Sequence, residues 1–467
     1  IIIFYALGYI FVPKTEEGFV KTGLVHIETL PEGASIILAN KHIAEKTPTT
    51  IRDLMPGTYP IQISLKGYRP WTQNIPVRAG KAIALDKILL LPNELKFKEL
   101  SKASFKKLIP LEKTRFFLLS RGDRLGDFFI FNWKEETLKA LLRPEAREAS
   151  LEVMKCFTMP ESFFILFQLR QGNEIRFLSF ETDKEEPEIQ DLTDLFSGLN
   201  PEEIQWEEGK VRYLFSLNQG NLSRVDLEER MVLPLFLEKI QGYGLFKNKV
   251  YAIRASSILR IPFNAKKGSE TVVEKAAFIQ NLFKNENSYK IKMFSSDLVL
   301  FHGKNGELLT NRLPYQFIPS GLLGYEVEFS LKKILIWQKS GLGILDFSRS
   351  QTRRGLFERG AEIDWIFDRG DDIRQAFLAY EGSHVLFQDR GKIFLLALNQ
   401  TYPRFPLELA EVRKDSDFFY SEKSGEIYFL DMTRGNLMAM PVLPETKVQE
   451  ISRMITDLEK TQRGPVK

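Results

Sequence analysis

The chain has 467 residues, of which 43% are hydrophobic and 12% aromatic, and its formal charge at pH 7 is +4. This length suggests two or three domains, since one domain typically contains about 150 residues. The apolar and aromatic content predicts a folded, β-rich protein and excludes a disordered one. The net charge is small beside 65 basic and 61 acidic residues. The sequence therefore has no concentrated basic field, and we expect no nucleic-acid partner.

Residues 1–12 form an uninterrupted apolar run. Twelve residues of helix would span about 18 Å, whereas the hydrocarbon core of a bilayer is about 30 Å thick. We therefore interpret the run as the end of a truncated transmembrane anchor, with Tyr5, Tyr9 and Phe11 suited to the membrane interface. A cleaved signal peptide and a buried strand are the alternatives. A linker is expected at 13–22.

A pattern of short strands with period two follows at residues 23–92. From 59 to 65, apolar side chains alternate with others, so one face of that strand can pack on a core while the other faces water. We expect a type I turn at 30–33, with Ser35–Leu38 returning as the partner strand, and a second hairpin around 79–81. Pro60 lacks a backbone donor, which predicts an edge position.

Four short motifs stand in order within this region. They are Pro31-Glu32-Gly33-Ala34, Lys46-Thr47-Pro48, Pro56-Gly57-Thr58-Tyr59 and Gly67-Tyr68. Together they resemble the PEGA domain over residues 23–92. The resemblance implies a small β-sandwich that is typical of bacterial and archaeal envelope proteins, usually lies outside the cytoplasmic membrane and has no known catalysis. With the anchor, it predicts a single-pass cell-membrane protein whose bulk is extracytoplasmic. The motif residues are turn and packing residues, so we assign them structural roles.

From 101 to 443 the chain repeats one pattern, an apolar strand, a turn that usually contains glycine, and a second apolar strand. The eight turns lie at positions 122, 172, 220, 256, 306, 341, 391 and 435. Their mean spacing of about 45 residues matches a four-stranded propeller blade. We predict an all-β chain with a β-propeller of about 7–8 blades, and a pair of β-sandwiches is the alternative. The tail at 444–467 has apolar residues at helical spacing, which predicts a short helix.

The residue types that most often carry chemistry are dispersed along the chain. The four histidines form no metal-ligand pair, and the single thiol of Cys156 predicts a buried apolar side chain. The five tryptophans could stack on sugar rings, but core positions are the expectation. The residues concerned are His26, His42, His302 and His384, and Trp71, Trp133, Trp206, Trp337 and Trp365.

Several fragments resemble functional motifs only by chance. Ser104-x-x-Lys107 and Lys21-Thr22-Gly23 mimic β-lactamase elements in the wrong order. The isolated pairs Gly242-x-Gly244 and Gly341-x-Gly343 predict turns rather than nucleotide binding. An acidic cluster predicts a solvated loop rather than a cation site. It contains Glu362, Asp364, Asp368, Asp371 and Asp372, balanced by Arg369 and Arg374. We therefore predict no catalytic, cofactor-binding or metal-binding residue.

These features predict a non-catalytic, membrane-anchored envelope protein. Its propeller would bind a protein partner, with the PEGA-like sandwich as spacer or adaptor. The first alternative is a protein that binds cell-wall polysaccharide, which the aromatic content permits. The second is a lyase or hydrolase that uses carboxylates in the central channel of the propeller. This alternative requires at least two carboxylates and nearby basic groups to converge in that channel.

Overall fold

The computed structural model describes residues 9–11, 19–143, 145–184, 187–207, 211–255, 257–275, 288–294, 298–312, 315–328, 330, 332–347, 362–399 and 404–444. Nearly all regular structure in these ranges is strand, which confirms the predicted all-β class. The first strands are β1 (Tyr9–Phe11), β2 (Phe19–Lys21), β3 (Gly23–Leu30), β4 (Ser35–Leu38), β5 (Lys41–Ile43), β6 (Thr49–Leu54), β7 (Gly57–Ser64), β8 (Trp71–Val77) and β9 (Ala82–Leu89).

Strands β3 to β9 form the expected sandwich. One sheet has the order β6-β3-β9 and the other β5-β4-β7-β8. The inward side chains alternate along each strand, as in β3, where every second residue is buried. They meet in one core that includes Val25, Ile36, Ile63 and Ile75. Burial of these aliphatic side chains is the main stabilising contribution to the module.

Both predicted hairpins of the sandwich are wrong. Strands β3 and β4 lie in different sheets, as do β8 and β9, and β9 instead pairs in parallel with β3. The turn at 30–33 is not closed on itself, because the Gly33 N–H donates to Thr47 O at 2.8 Å. Pro60 is not on an edge strand, since β7 lies between β4 and β8. Its carbonyl accepts from Ala39 N–H at 2.8 Å, at the point where pairing with β4 ends. The local alternation of apolar and polar residues predicted which face of each strand is buried. The strand order, in contrast, depends on how the two sheets pack together.

The predicted anchor falls mostly outside the described residues. Its described part, β1, is a strand that pairs antiparallel with β2, so β2 occupies part of the predicted linker. Among the described residues, no helix is long and apolar enough to cross a membrane. The predicted C-terminal helix also lies outside them, apart from Pro444.

Eight further four-stranded sheets occur within the described ranges. Their strands are β10 (Lys98–Ser104), β11 (Lys107–Pro110), β12 (Phe116–Ser120), β13 (Phe128–Asn132), β14 (Thr137–Ala140), β15 (Glu152–Phe157), β16 (Phe164–Gln171), β17 (Glu174–Glu181), β18 (Glu188–Asp191), β19 (Glu203–Trp206), β20 (Tyr213–Asn218), β21 (Asn221–Asp226), β22 (Met231–Leu237), β23 (Gly242–Phe246), β24 (Lys249–Arg254), β25 (Ser257–Pro262), β26 (Thr271–Lys275), β27 (Tyr289–Met293), β28 (Val299–Gly303), β29 (Leu308–Thr310), β30 (Gln316–Ile318), β31 (Leu322–Glu328), β32 (Lys333–Gln338), β33 (Leu342–Asp346), β34 (Ile363–Phe367), β35 (Ile373–Ala379), β36 (His384–Asp389), β37 (Lys392–Ala397), β38 (Leu407–Glu411), β39 (Phe419–Ser421), β40 (Glu426–Leu430) and β41 (Asn436–Pro441). Within the described residues, helical turns occur at α1 (Thr193–Phe196) and at the 3-10 segments Leu125–Asp127 and Arg147–Ser150.

These sheets are the blades of a β-propeller, in agreement with the predicted seven or eight. Blades 1 to 7 each use four consecutive antiparallel strands, from β11–β14 to β35–β38. Blade 8 combines β39, β40 and β41 with β10, which comes from the beginning of the domain. The last blade is therefore completed by the first strand, which joins the two ends of the ring and leaves no long unpaired edge at the seam.

The two faces of the propeller differ in the connections that they carry. We name the upper face as the one with the turns between second and third strands and the links from one blade to the next. The lower face carries the other turns. The predicted glycine turns lie on the upper face, and Gly172, Gly220, Gly306 and Gly391 have positive φ there. These backbone conformations favour glycine, which explains the repeat.

The pair Gly242-x-Gly244 is not a turn, in contrast to the prediction. Both glycines lie in β23, the innermost strand of blade 4. A Cβ atom at Gly242 would stand 1.7 Å from Tyr289 O, and one at Gly244 would stand 2.3 Å from Ile291 O, both in β27. The glycines are required because the backbones of two inner strands approach too closely for any side chain. In the other pair, Gly341 does lie in a turn, but Gly343 lies in β33.

The sandwich is docked on the lower face of blades 7 and 8. After β9 the chain stays extended, so neighbouring side chains point in opposite directions. Leu90 packs in the sandwich core, whereas Leu89 and Leu91 pack in a propeller cluster that contains Phe418 and Met440. Lys87 Nζ also lies 2.7 Å from a carboxylate oxygen of Glu381. One short segment thus links the two cores.

Candidate functional site

Charged side chains from four blades converge in the central channel. Each blade contributes its first strand to the channel wall, and these strands run from the upper to the lower face. We define the channel cluster as Glu112, Glu203, Lys290, Lys292, Tyr325 and Glu326. Burial is the main cause that raises the pKa of Tyr325 in blade 6, and the charges of Glu203 in blade 3 and Glu112 in blade 1 add to the rise, so these side chains interact across the channel. The sequence did not single out any of these residues.

Burial shifts two acids of the channel cluster, Glu203 and Glu326, toward their protonated forms. It raises the pKa of Glu326 to about 8, and the neighbouring carboxylates Glu112 and Glu328 add to this rise, although the Leu378 N–H bond opposes it. Burial likewise raises the pKa of Glu203, and a hydrogen bond from Gln205 and the charge of Lys290 oppose that shift. Proton uptake is therefore easier here than at an exposed carboxylate.

Some polar channel side chains also have a clear structural role. The inner strand of each blade has an edge of backbone groups that no further strand covers. Leu378 N–H donates to Glu326 at 2.6 Å, and Phe418 N–H donates to Gln375 at 3.1 Å. Leu108 N–H donates to Ser416 at 3.0 Å. These bonds each join one blade to the next and satisfy groups that would otherwise be costly to bury.

A cleft of about 720 Å³ opens on the upper face between blades 1 and 2. Its lining combines basic and acidic side chains with the backbone of two glycine turns. The lining residues are Lys106, Gly122, Asp123, Arg124, Asp127, Ser150, Leu151, Glu152, Arg170, Gln171 and Gly172. Such a surface suits a polar, charged ligand rather than an apolar one.

The cleft exists because one upper turn is unusually long. Residues 121–127 connect the second and third strands of blade 1, where blades 2 and 3 have tight glycine turns. This loop pairs with the beginning of β15, since Leu125 N–H donates to Leu151 O at 2.8 Å and Val153 N–H donates to Asp123 O at 2.7 Å. Gly126 permits the contact, because a Cβ there would stand 2.9 Å from that of Ala149.

The predicted candidate residues lie far apart or serve the fold. His384 is buried, and its ring Nδ1 contacts Ser383 Oγ at 2.9 Å. His26 Nδ1 contacts Thr50 Oγ1 in the sandwich at 2.9 Å. His302 Nε2 lies 3.4 Å from Leu322 O of the next blade, and His42 is exposed. Among the described residues, no group of three His, Cys, Asp or Glu side chains is arranged to hold a metal ion.

Cys156 lies on the inner strand of blade 2 and is half-buried, not fully buried as predicted. Burial raises its pKa to about 12, so the thiol remains protonated and unreactive at neutral pH. The β-lactamase-like fragments are separated by the fold. Ser104 donates to Arg434 O at 2.6 Å in blade 8, whereas Lys21 ends β2 beside the sandwich.

Two of the five tryptophans are core residues, as predicted, and two more pack partly buried against a core. Trp71 and Trp206 are buried, while Trp133 and Trp337 are half-buried. Trp365 is different, because 40% of it is exposed on β34 of blade 6. A sugar-binding platform made of several exposed tryptophans is therefore not formed by this set.

The acidic cluster is solvated and partly ion-paired, but not all of it lies in a loop, in contrast to the prediction. Asp364 lies in strand β34. Asp371 pairs with Arg390 at 2.9 Å and Asp372 with Arg374 at 3.1 Å. Arg369 was predicted to balance these acids, but its guanidinium donates to Arg404 O at 2.7 Å and lies over the ring of Phe405.

Comparisons with known proteins found one matching family model and several similar solved structures. No curated protein sequence matches the chain. The β-propeller domain of Cps50 (Swd1) from Myceliophteria thermophila has a TM-score of 0.39 at 10% identity, over 75% of this chain and 99% of that one. Hsv2 from Kluyveromyces lactis has a TM-score of 0.41 at 9% identity, over 66% and 98%. PorZ, described as an essential surface component of the type-IX secretion system of Porphyromonas gingivalis, has a TM-score of 0.39 at 8% identity, over 71% and 42%. Residues 22–90 match the family model of the PEGA domain, so the chain contains a PEGA domain followed by a β-propeller.

Proposed function

We propose that this protein is a membrane-tethered, extracytoplasmic scaffold whose propeller binds a protein partner on its upper face. The observation that carries the proposal is that the two faces of the propeller have different surroundings: the lower face contacts the PEGA domain and the upper face is open. The PEGA domain is docked on the lower face through Leu89 and Leu91, and the long loop of blade 1 forms a charged cleft on the upper face. Loops held by a rigid scaffold are common sites of recognition.

The N-terminal apolar run supports the tether, and the PEGA domain supports an envelope location. A chain anchored before the PEGA domain would have its attachment on the side of the lower face, so the cleft would point away from the membrane. Protease treatment of spheroplasts that express the full-length parent protein tests this arrangement. Digestion of both domains with the membrane intact is expected, whereas complete protection would contradict the extracytoplasmic location.

Photo-crosslinking in intact cells tests the partner class. A photoreactive amino acid at Gln171 would lie in the cleft, and one at the exposed Lys266, in the loop between the last two strands of blade 4, is the matched control. We expect a protein adduct from Gln171 and none from Lys266. Adducts that contain only wall polysaccharide would favour the carbohydrate-binding alternative, and equal adducts at both positions would contradict a specific upper-face site.

A second candidate function has one specific observation in its favour. The lyase or hydrolase alternative requires carboxylates and basic groups to meet in the channel. Two acid–lysine neighbours support it, because burial raises the pKa of Glu112 and of Glu203 while the charge of Lys292 opposes the first rise and that of Lys290 the second. An assay for the release of reducing ends from acidic polysaccharides tests this alternative, with Glu203→Gln as the variant. Activity of the parent protein that disappears in the variant would contradict the scaffold proposal. No activity in either protein would contradict the lyase or hydrolase alternative.

A further inference from the structure

The blade 8 to blade 1 edge of the upper face carries a row of exposed basic side chains. We name it the basic rim, and it consists of Lys106, Lys107, Arg121, Arg124 and Arg434. Hydrogen bonds hold the chain segments that carry these side chains next to one another. Ser104 donates to Arg434 O at 2.6 Å, and Lys106 N–H donates to Ser120 O at 2.6 Å, beside Arg121. Lys106 and Arg124 reach the lining of the cleft.

Ion pairs to the basic rim are absent among the residues that the structure describes. In the part of the chain that the structure describes, none of its five side chains forms an ion pair with a carboxylate. The guanidinium of Arg121 lies 4.4 Å from the centre of the Phe129 ring, which fixes the group while leaving its N–H donors available.

The nearby acids are largely occupied by their own loops. Asp431 accepts from the backbone N–H groups of Thr433 and Arg434 at 2.9 Å each. Asp127 accepts from Arg124 N–H at 3.3 Å, and Glu152 lies 3.6 Å from Arg170. Asp123 remains as an acidic group beside the rim. These contacts orient the carboxylates but leave their charges in place, so the surface that a partner meets carries both signs, with the basic groups in excess along the rim.

Resting on the proposed protein-binding function, we propose that the basic rim and the adjoining cleft bind an acidic polypeptide segment. Arginine forks bind carboxylates in a bidentate manner, and complementary charge accelerates and orients association. A uniformly charged polysaccharide or nucleic acid would meet Asp123 unfavourably, whereas a peptide can place a neutral residue opposite it. The cleft also has room for only a few side chains.

Fluorescence anisotropy with the full chain tests this inference. The probe is a fluorescein-labelled peptide of alternating Glu and Ser residues, and the matched peptide of alternating Lys and Ser is its control. We expect the Glu peptide to bind, the Lys peptide not to bind, and binding to weaken as salt is raised. No binding of the Glu peptide, equal binding of both peptides, or displacement of the Glu peptide by polygalacturonate at lower concentration would each overturn the inference.

A pair of charge-reversal variants locates the site. Lys106→Glu with Arg124→Glu is expected to weaken binding of the Glu peptide at least about tenfold, since two attractions become repulsions. Lys247→Glu with Lys266→Glu makes the same change of charge at exposed positions in blade 4 and is expected to leave binding within about twofold. Equal weakening by the two pairs would overturn the inference. Protein adducts at Gln171 that persist in the rim variant would reject the acidic partner while retaining the scaffold.

Discussion

At the scale of single residues, the inner strands of the propeller impose strict requirements. The backbones of β23 and β27 approach so closely that Tyr289 O occupies the place of a side chain at Gly242. In the channel, the half-buried carboxyl group of Glu326 accepts a hydrogen bond from a backbone N–H of the next blade.

Gly242→Ala is expected to destabilise the protein by about 3 kcal/mol or more, because the added methyl collides with backbone that cannot rotate away. Gly57→Ala is the control, since its Cβ would have only an ordinary contact of 3.7 Å with the ring of Tyr59. Chemical denaturation of both variants measures the difference. A cost at Gly242 no greater than the cost at Gly57 would mean that the two blades do not meet as described.

Glu326→Gln is expected to stabilise the protein above neutral pH. The pKa of Glu326 is raised from 4.5 to about 8. Between these two pH values the folded state therefore holds a proton that the unfolded state has lost. This proton stabilises folding below about pH 4.5, and the stabilisation is lost as pH rises through about 8. Glutamine keeps an oxygen that can accept from Leu378 N–H and never ionises.

The free energies of unfolding of both proteins, measured between pH 5 and pH 9 by denaturant titration, test this assignment. They should be similar near pH 5, and the variant should exceed the parent by on the order of 2 kcal/mol near pH 9. A constant difference across the range would show that Glu326 does not titrate in this window.

At the scale of elements, strand β10 has a role that its sequence does not reveal. It pairs with β41, from Lys98 opposite Ala439 to Ser104 opposite Asn436, and it precedes blade 1 directly. Its side chains are mostly exposed or half-buried, so its contribution comes from main-chain pairing and from joining the two ends of the ring. The residues of blades 1 and 8 share one apolar cluster across this seam.

Replacing Lys98–Ser104 by Gly and Ser residues of equal number is expected to reduce stability by several kcal/mol, because it removes the ladder and opens the ring. The same treatment of Thr137–Ala140, the outermost strand of blade 1, is the comparison. This second replacement also exposes the edge of a strand but leaves the two ends of the ring joined. Thermal unfolding of the two variants should show the larger loss in the first, and equal losses would argue against a special role of closure.

At the scale of the whole molecule, the docked PEGA domain is expected to unfold together with the propeller. Leu91 is 3% exposed and packs in the cluster of blades 7 and 8. Leu91→Asp buries a charge at this contact and should release the PEGA domain. We expect a larger radius of gyration in small-angle scattering and two calorimetric transitions instead of one.

The control for this variant is Leu407→Asp in blade 7, at a leucine that is 40% exposed. It introduces the same group without touching the contact between the domains, so the scattering profile should remain that of the parent. An unchanged profile for Leu91→Asp as well would indicate that the Lys87 and Glu381 ion pair and the remaining leucines are sufficient for docking.

By itself, the sequence determined the features that depend on near neighbours. Period-two alternation predicted the sandwich strands, turn motifs identified the PEGA domain, and regularly spaced glycine turns predicted the propeller and its approximate number of blades. Each of these signals arises from local backbone conformation or from which face of a strand is buried, and both are written in consecutive residues.

Only the tertiary structure decided which distant groups meet. The parallel pairing of β3 with β9, the contact that requires Gly242, and the completion of blade 8 by β10 all join segments far apart in the chain. The channel cluster was missed for the same reason, since Glu203 and Glu326 are ordinary polar residues of short strands until the ring closes. Sequence patterns report the burial of a face, whereas convergence at the centre of a ring depends on how all the blades pack.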